Sequence, residues 1–264
     1  MDTAVVTGAG RGFGREIARR LASRGYAVLV TDVDGQTAEG TAQELGEPAW
    51  SMALDVRDAE AHRAAARAAS ERGPLRVWVN NAGIARASKG FEGSDDDVRL
   101  TVETNLLGVM WGSRAAVDAM GRGGGHVINI GSMSSLGPVP GITTYAASKH
   151  GVLGYTTSLQ GDLDNAGIPI RMHVVCPDAA ETAMVHDVTD SPESAILFSA
   201  PRMLEPSEVA DHTVALLDRK QIVLVIPRWR GWVVRLGAFS PEYALKLIAL
   251  FRRAGERKRK KRLR

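Results

Sequence analysis

At 264 residues, 44% hydrophobic and 24% charged, the chain has the length and composition of one large α/β domain with a sizeable core. Its single cysteine, Cys176, excludes an internal disulfide and any cysteine metal cluster, and fits a reducing, cytoplasmic setting. The net charge of +3 is uneven: residues 252–264 hold nine Lys or Arg and one acidic residue, leaving the preceding 251 at −5, so the basic balance is no argument for nucleic-acid binding by the body.

Seven apolar, β-branched runs recur along the chain: 3–8 (TAVVTG), 27–32 (AVLVTD), 49–55 (AWSMALD), 75–80 (LRVWVN), 126–132 (HVINIGS), 170–176 (IRMHVVC) and 222–227 (IVLVIP). Nearly continuous apolar runs suit strands covered on both faces. Ala/Arg/Glu-rich stretches with helical periodicity separate them, and this alternation predicts a doubly wound parallel sheet. The chain begins directly on the first strand, so no secretory leader is expected. The six histidines show no ligand spacing, so no protein-bound metal is expected.

The first strand runs into TGAGRGFG (7–14) and then a clear helix, REIARRLASRG. Gly8 permits a tight turn, while Gly12 and Gly14 allow close approach of backbone to phosphate and of helix to sheet. The free N–H groups at that helix start suit a pyrophosphate, so a dinucleotide site is expected, with Arg11 and Phe13 inside its loop. Asp32 ends the second strand, where a carboxylate accepts from a ribose diol and repels a 2′-phosphate. That favours NAD; Arg11, whose guanidinium suits a phosphate, pulls toward NADP.

Further on, TTYAASKHG (143–151) places Tyr145 and Lys149 one helical turn apart. An ammonium beside a phenol favours the phenolate and permits proton exchange near neutral pH. With this pair the chain resembles the classical branch of the short-chain dehydrogenase/reductase family, over residues 3–227. The motifs agree in order and spacing: the glycine loop, DV (55–56), NNAG (80–83), TNLLG (104–108), GSMSS (131–135) and YAASK (145–149). The resemblance implies a Rossmann-type sheet of about seven strands and an oxidoreductase acting on a secondary alcohol or ketone. It implies Ser132 on the substrate oxygen, Tyr145 as general acid or base, Lys149 lowering the phenol pKa and holding the nicotinamide ribose, and Asn105 on a water leading from Lys149. Asp55 and Val56 would flank the adenine, Asn80, Asn81, Ala82 and Gly83 would pass by the adenosine ribose, and Pro177 and Thr182 would line the nicotinamide. A homodimer or homotetramer through residues near 95–120 and 144–166 is implied as well. One departure is plain: in CPDAAET (176–182), Asp178 stands where the family has glycine, which puts the nicotinamide contacts in doubt.

Residues 183–205 occupy the place of the family's substrate lid; Ile196, Leu197, Phe198, Met203 and Leu204 make it apolar, which suits either a lipophilic substrate or packing of the lid on its own protein. Residues 137–144 (GPVPGITT) lie on the other side of the site. The natural division is a catalytic body, 1–227, and an extension, 228–264, outside the family's common core. The extension carries Trp229, Trp232, Leu236 and Phe239, a second helix-like run at 242–253, and the polybasic end. An anchor on an anionic membrane surface, a dimer contact with a disordered end, and nucleic-acid binding all fit that pattern. A non-catalytic, NAD-responsive scaffold is the rival reading of the whole chain.

Overall fold

The computed structural model describes residues 1–263. Seven strands form one parallel sheet: β1 (Thr3–Thr7), β2 (Ala27–Asp32), β3 (Trp50–Ala53), β4 (Leu75–Asn80), β5 (Gly125–Ile130), β6 (Ile170–Pro177) and β7 (Val223–Ile226), in spatial order β3-β2-β1-β4-β5-β6-β7. The expected third and fifth strands are shorter than their apolar runs. Asp55 and Val56 fall in the turn after β3, and Ser132 lies two residues beyond β5, where its hydroxyl caps a 3-10 turn, Met133–Ser135.

Helices cover both faces, as the apolar strands require. On one face lie α1 (Gly12–Ser23), α2 (Gly35–Leu45) and, much later, α8 (Pro206–Val214), closing over Val6, Val28, Val30, Val79 and Ile128. On the other lie α3 (Ala59–Arg72), α5 (Gly108–Met120) and α6 (Thr143–Asn165), which bury Leu29, Trp78, Val127 and Met172. The short α4 (Asp95–Val102) leads into a π-helical turn, Glu103–Leu107, before α5. Strand order reverses direction between β1 and β4, so the crevice at the carboxyl ends of these strands is where such a sheet binds ligands.

After β6 the chain crosses that crevice through α7 (Ala183–His186) and a 3-10 segment, Pro192–Phe198, and returns through α8 to β7. Beyond β7 come α9 (Arg228–Ala238) and α10 (Pro241–Arg262). The helix expected at 242–253 thus continues through the basic run, and part of that run is engaged by the body of the protein. Arg252 pairs with Glu193 at 2.7 Å, Lys258 donates to the Ala200 carbonyl at 2.5 Å, and Arg262 pairs with Glu181. Arg259 is buried and donates to the carbonyls of Thr189 and Asp190, each at 3.1 Å. Four cations of the tail are therefore spent on the segment that covers the crevice.

Candidate active site

A cleft of about 410 Å³ opens at the carboxyl ends of the central strands. Gly8, Arg11, Gly12, Phe13, Asp32, Asp55, Val56, Asn81, Ala82, Gly83, Ser132, Tyr145, Lys149, Pro177 and Thr182 all line it. Three expected residues do not. Gly14 is buried where α1 meets the β1 loop: an added Cβ would lie 2.3 Å from the Gly8 carbonyl oxygen, so its absence is what lets the helix approach. Asn105 sits behind the cleft wall. Asn80 is a correction: its side chain is buried, taking the Trp78 indole N–H at 2.7 Å and donating to Asn129 at 2.8 Å, because strand alternation turns it away from the cleft and Asn81 toward it.

The glycine loop is shaped for an anion. Gly8 has φ +61°, and a Cβ there would meet the Ala82 backbone at 2.7 Å. The Asn81 amide clamps this turn by donating to the carbonyls of Thr7 at 2.9 Å and Gly8 at 2.8 Å. Asp34, Asp58 and Ser94 cap α2, α3 and α4 with their side chains, but α1 has neither a side-chain cap nor an acid in its first turn. Its first amides and positive dipole end are left for a ligand, and the residues present fit a dinucleotide pyrophosphate. Gly10 was missed by the motif reading, although it is the second of the loop's four glycines. Its N–H donates to Asp32 Oδ2 at 3.0 Å, and a Cβ would strike Thr37. Arg57, also missed, holds the Asp55 carboxylate through Nη2 at 2.6 Å and keeps its pKa low, so Asp55 reaches the cleft already paired.

On the other side, α6 brings Tyr145 and Lys149 onto one face, and the turn after β5 brings Ser132 to the phenol. Lys149 is buried, its Nζ donates to the Ile130 carbonyl at 2.8 Å, and desolvation lowers its pKa to about 8. The phenol departs from expectation. Burial pushes the Tyr145 pKa up, Ser132 hydrogen bonding opposes this, and burial wins; Lys149, with Nζ 5.7 Å from the ring centre, does not reverse it. Asn105 lies in the π-helical turn, not in regular helix. Its amide bridges to Ile84, accepting from the N–H and donating to the carbonyl at 2.8 Å each, and donates to Ser148 at 3.3 Å. A single added Cβ on Gly83 would lie 3.2 Å from Asn105 Oδ1 and 3.6 Å from Lys149 Nζ, so the two side chains are neighbours across that glycine.

The substituted Asp178 neither faces solvent nor stands alone. Arg230 of α9 places Nε 2.9 Å from Asp178 Oδ2 and donates to Ser199 Oγ at 3.1 Å, and the Ala179 N–H donates to Oδ1 at 2.9 Å. Burial raises the Asp178 pKa and Arg230 works against it. The one plain departure from the family pattern thus has its counter-ion in the extension.

The family model for short chain dehydrogenase matches residues 2–193. The 3-oxoacyl-[acyl-carrier-protein] reductase of Vibrio harveyi is 34% identical over 217 residues, covering 81% of this chain and 88% of the relative. A short-chain dehydrogenase/reductase from Burkholderia phymatum, solved in complex with NAD, superposes with TM-score 0.83 at 27% identity, over 92% of this chain and 95% of that one. A variant of the actinorhodin polyketide ketoreductase, solved with NADPH, gives TM-score 0.77 at 34% identity, over 85% of this chain and 95% of that one. The chain belongs to the short-chain dehydrogenase/reductase family of nicotinamide-dependent oxidoreductases that act on alcohols and carbonyls.

Proposed function

We propose that this enzyme uses NAD(H) to interconvert a lipophilic secondary alcohol and its ketone, with Tyr145 moving the proton. The observation that carries the reading is the convergence of Ser132, Tyr145 and Lys149 on one wall of a cleft whose other wall is the uncapped start of α1. When bound, the nicotinamide supplies or accepts the hydride. The chain's own part is proton handling and orientation. Ser132 Oγ accepts from the Ser134 N–H, which leaves its hydroxyl proton to hold the substrate oxygen. Tyr145 gives its Oη proton to that oxygen in reduction and takes it in oxidation. The raised phenol pKa keeps Tyr145 protonated in the resting enzyme, the form that reduction needs. Lys149, Asn105 and the backbone of Ile84 form the polar path behind the tyrosine. Asp32 supports NAD over NADP through its carboxylate at the adenosine end, although it shares that carboxylate with the Gly10 N–H.

Tyr145→Phe keeps the ring and removes the proton. Turnover of a ketone and alcohol panel should fall by about 10²–10⁴ while NADH binding holds; turnover within tenfold of the intact enzyme defeats the assignment.

The exposed apolar side chains of α9 and α10 support a second element of the reading, a seat on an anionic membrane surface. Assembly as a homodimer or homotetramer through residues 95–120 and 144–166 completes it.

A further inference from the structure

Beside the catalytic cleft lies a second cavity of about 240 Å³. Met133, Ser134, Asp178 and Leu197 line both, so the two spaces share one wall. The far side of the second cavity is built by the extension: Trp229, Val233 and Val234 from α9, and Leu247, Ile248 and Phe251 from α10. None of these belongs to the stretch that matches the family model. The charged side chains of the second cavity's lining, Asp178 on the shared wall and Arg230 beyond it, form an ion pair with each other, and Arg230 also donates to Ser199; Asp178 Oδ2 makes no hydrogen bond besides that ion pair. Walls of this kind offer a polar ligand little to compensate its desolvation, and they suit hydrocarbon.

We propose that this chamber receives the aliphatic chain of the substrate, making α9 and α10 a specificity element that selects long-chain alcohols and ketones. The inference rests on the assignment of Ser132 and Tyr145 to the substrate oxygen, and it names the class of group attached to that carbon. From the oxygen site the chain passes Met133 and Leu197; Met133, unbranched and pliable, is suited to a passage. Asp178 then has a reason to replace glycine: its pairing with Arg230 holds α9 against the cleft and closes the chamber's near side. At about 30 Å³ per water-sized group the chamber has room for about eight, so affinity should climb by about fourfold per methylene and level off beyond that length.

The test uses the full chain with NAD(H) and two readouts. Calorimetry measures binding of 2-butanone, 2-hexanone, 2-decanone and 2-tetradecanone, and initial rates measure their reduction. The expected result is a rise of at least 100-fold in affinity from 2-butanone to 2-decanone with a plateau by 2-tetradecanone. Ile248→Trp and Val233→Trp, which fill the chamber from two helices, should each cut that ratio at least tenfold; Val233 is 38% exposed and tolerates the larger ring if Ile248→Trp does not fold. If 2-decanone does not bind, or a folded filling variant keeps the ratio, the chamber is overturned. Binding that follows chain length without turnover of any ketone leaves the chamber standing and defeats the proton-transfer assignment instead. Turnover indifferent to chain length does the reverse.

Discussion

Lys149 carries a buried ammonium, and burial sets its pKa at about 8. The cation is therefore present below pH 8 and lost above it. The nearby Cys176 thiol, pushed up to about 11, and the Tyr145 phenol, raised above its ordinary value, do not titrate in that window. NADH binding should weaken as pH rises through about 8, and Lys149→Met should bind weakly at every pH with a flat profile; fluorescence titration from pH 6.5 to 9.5 reads both. The same depression acts on stability. The unfolded lysine keeps its proton to about pH 10.4, so the buried group disfavours the fold below pH 8 and that penalty fades between 8 and about 10. Asp32 is the second residue whose charge decides a choice. Asp32→Asn keeps an oxygen for the Gly10 N–H and removes the repulsion toward a 2′-phosphate. The ratio of NADPH to NADH dissociation constants should be well above one in the intact enzyme and fall about tenfold in the variant; an enzyme that prefers NADPH at the outset overturns the cofactor assignment.

At the scale of elements, the extension is tied to the crevice at both of its helices. Helix α9 contributes Arg230 to Asp178, and α10 lays its cations along residues 181–200. Most of these pairs are partly exposed and individually weak. The Asp178–Arg230 pair differs, with side-chain exposures of 11% and 15%. Removing one partner of a buried pair strands the other's charge. Arg230→Met should cost on the order of 2–3 kcal/mol, read as a fall in melting temperature of roughly 4–12 °C for a chain of this size. Asp178→Gly combined with Arg230→Met should recover most of the loss. A double variant as unstable as the single one would show that Arg230 acts through packing, not through its charge.

At the scale of the whole molecule, one face is unlike the rest. Trp232, Leu236, Phe239, Tyr243 and Leu250 are more than half exposed, Phe239 reaching 88%, whereas elsewhere exposed large apolar side chains such as Val33 and Phe91 are scattered singly. Exposed apolar side chains in such number are what a contact with a membrane surface or a second copy would use. Among the described residues no helix is long and apolar enough to cross a membrane, so any membrane contact made by these helices is with the surface. Arg228, Arg253, Arg257 and Lys261 stay exposed on the same two helices and can meet anionic headgroups at about 1 kcal/mol each before screening. The full chain should co-sediment with phosphatidylserine vesicles at low salt, lose part of that binding as salt rises, and lose most of it in Trp232→Ser/Phe239→Ser. A protein that ignores the vesicles and instead dissociates from dimer to monomer in that variant has used the face for a second copy.

The local chemistry was legible in the residues alone. Seven apolar runs separated by helical stretches dictate a parallel sheet, because only strands covered on both faces tolerate such runs. Gly8, Gly12, Asp32, Tyr145 and Lys149 could be picked out as candidates from spacing, and Ser132 from the family resemblance, since each sits where a strand ends or a helix turns. Other features needed distant segments to meet. Asn80 turned inward and Asn81 outward by pleat alternation, which the motif NNAG does not register. The Tyr145 phenol rose instead of falling because burial, a property of the assembled fold, outweighed its neighbours. Asp178 read as an anomaly until α9 brought Arg230 to it from 52 positions away in sequence. Likewise the polybasic run read as a free tail, because its partners at Glu181, Glu193, Thr189 and Ala200 lie about 60–80 residues earlier in the chain. Sequence determined the elements and the reactive groups, whose causes are local; only tertiary structure decided which charges were paired, which were buried, and what the extension encloses.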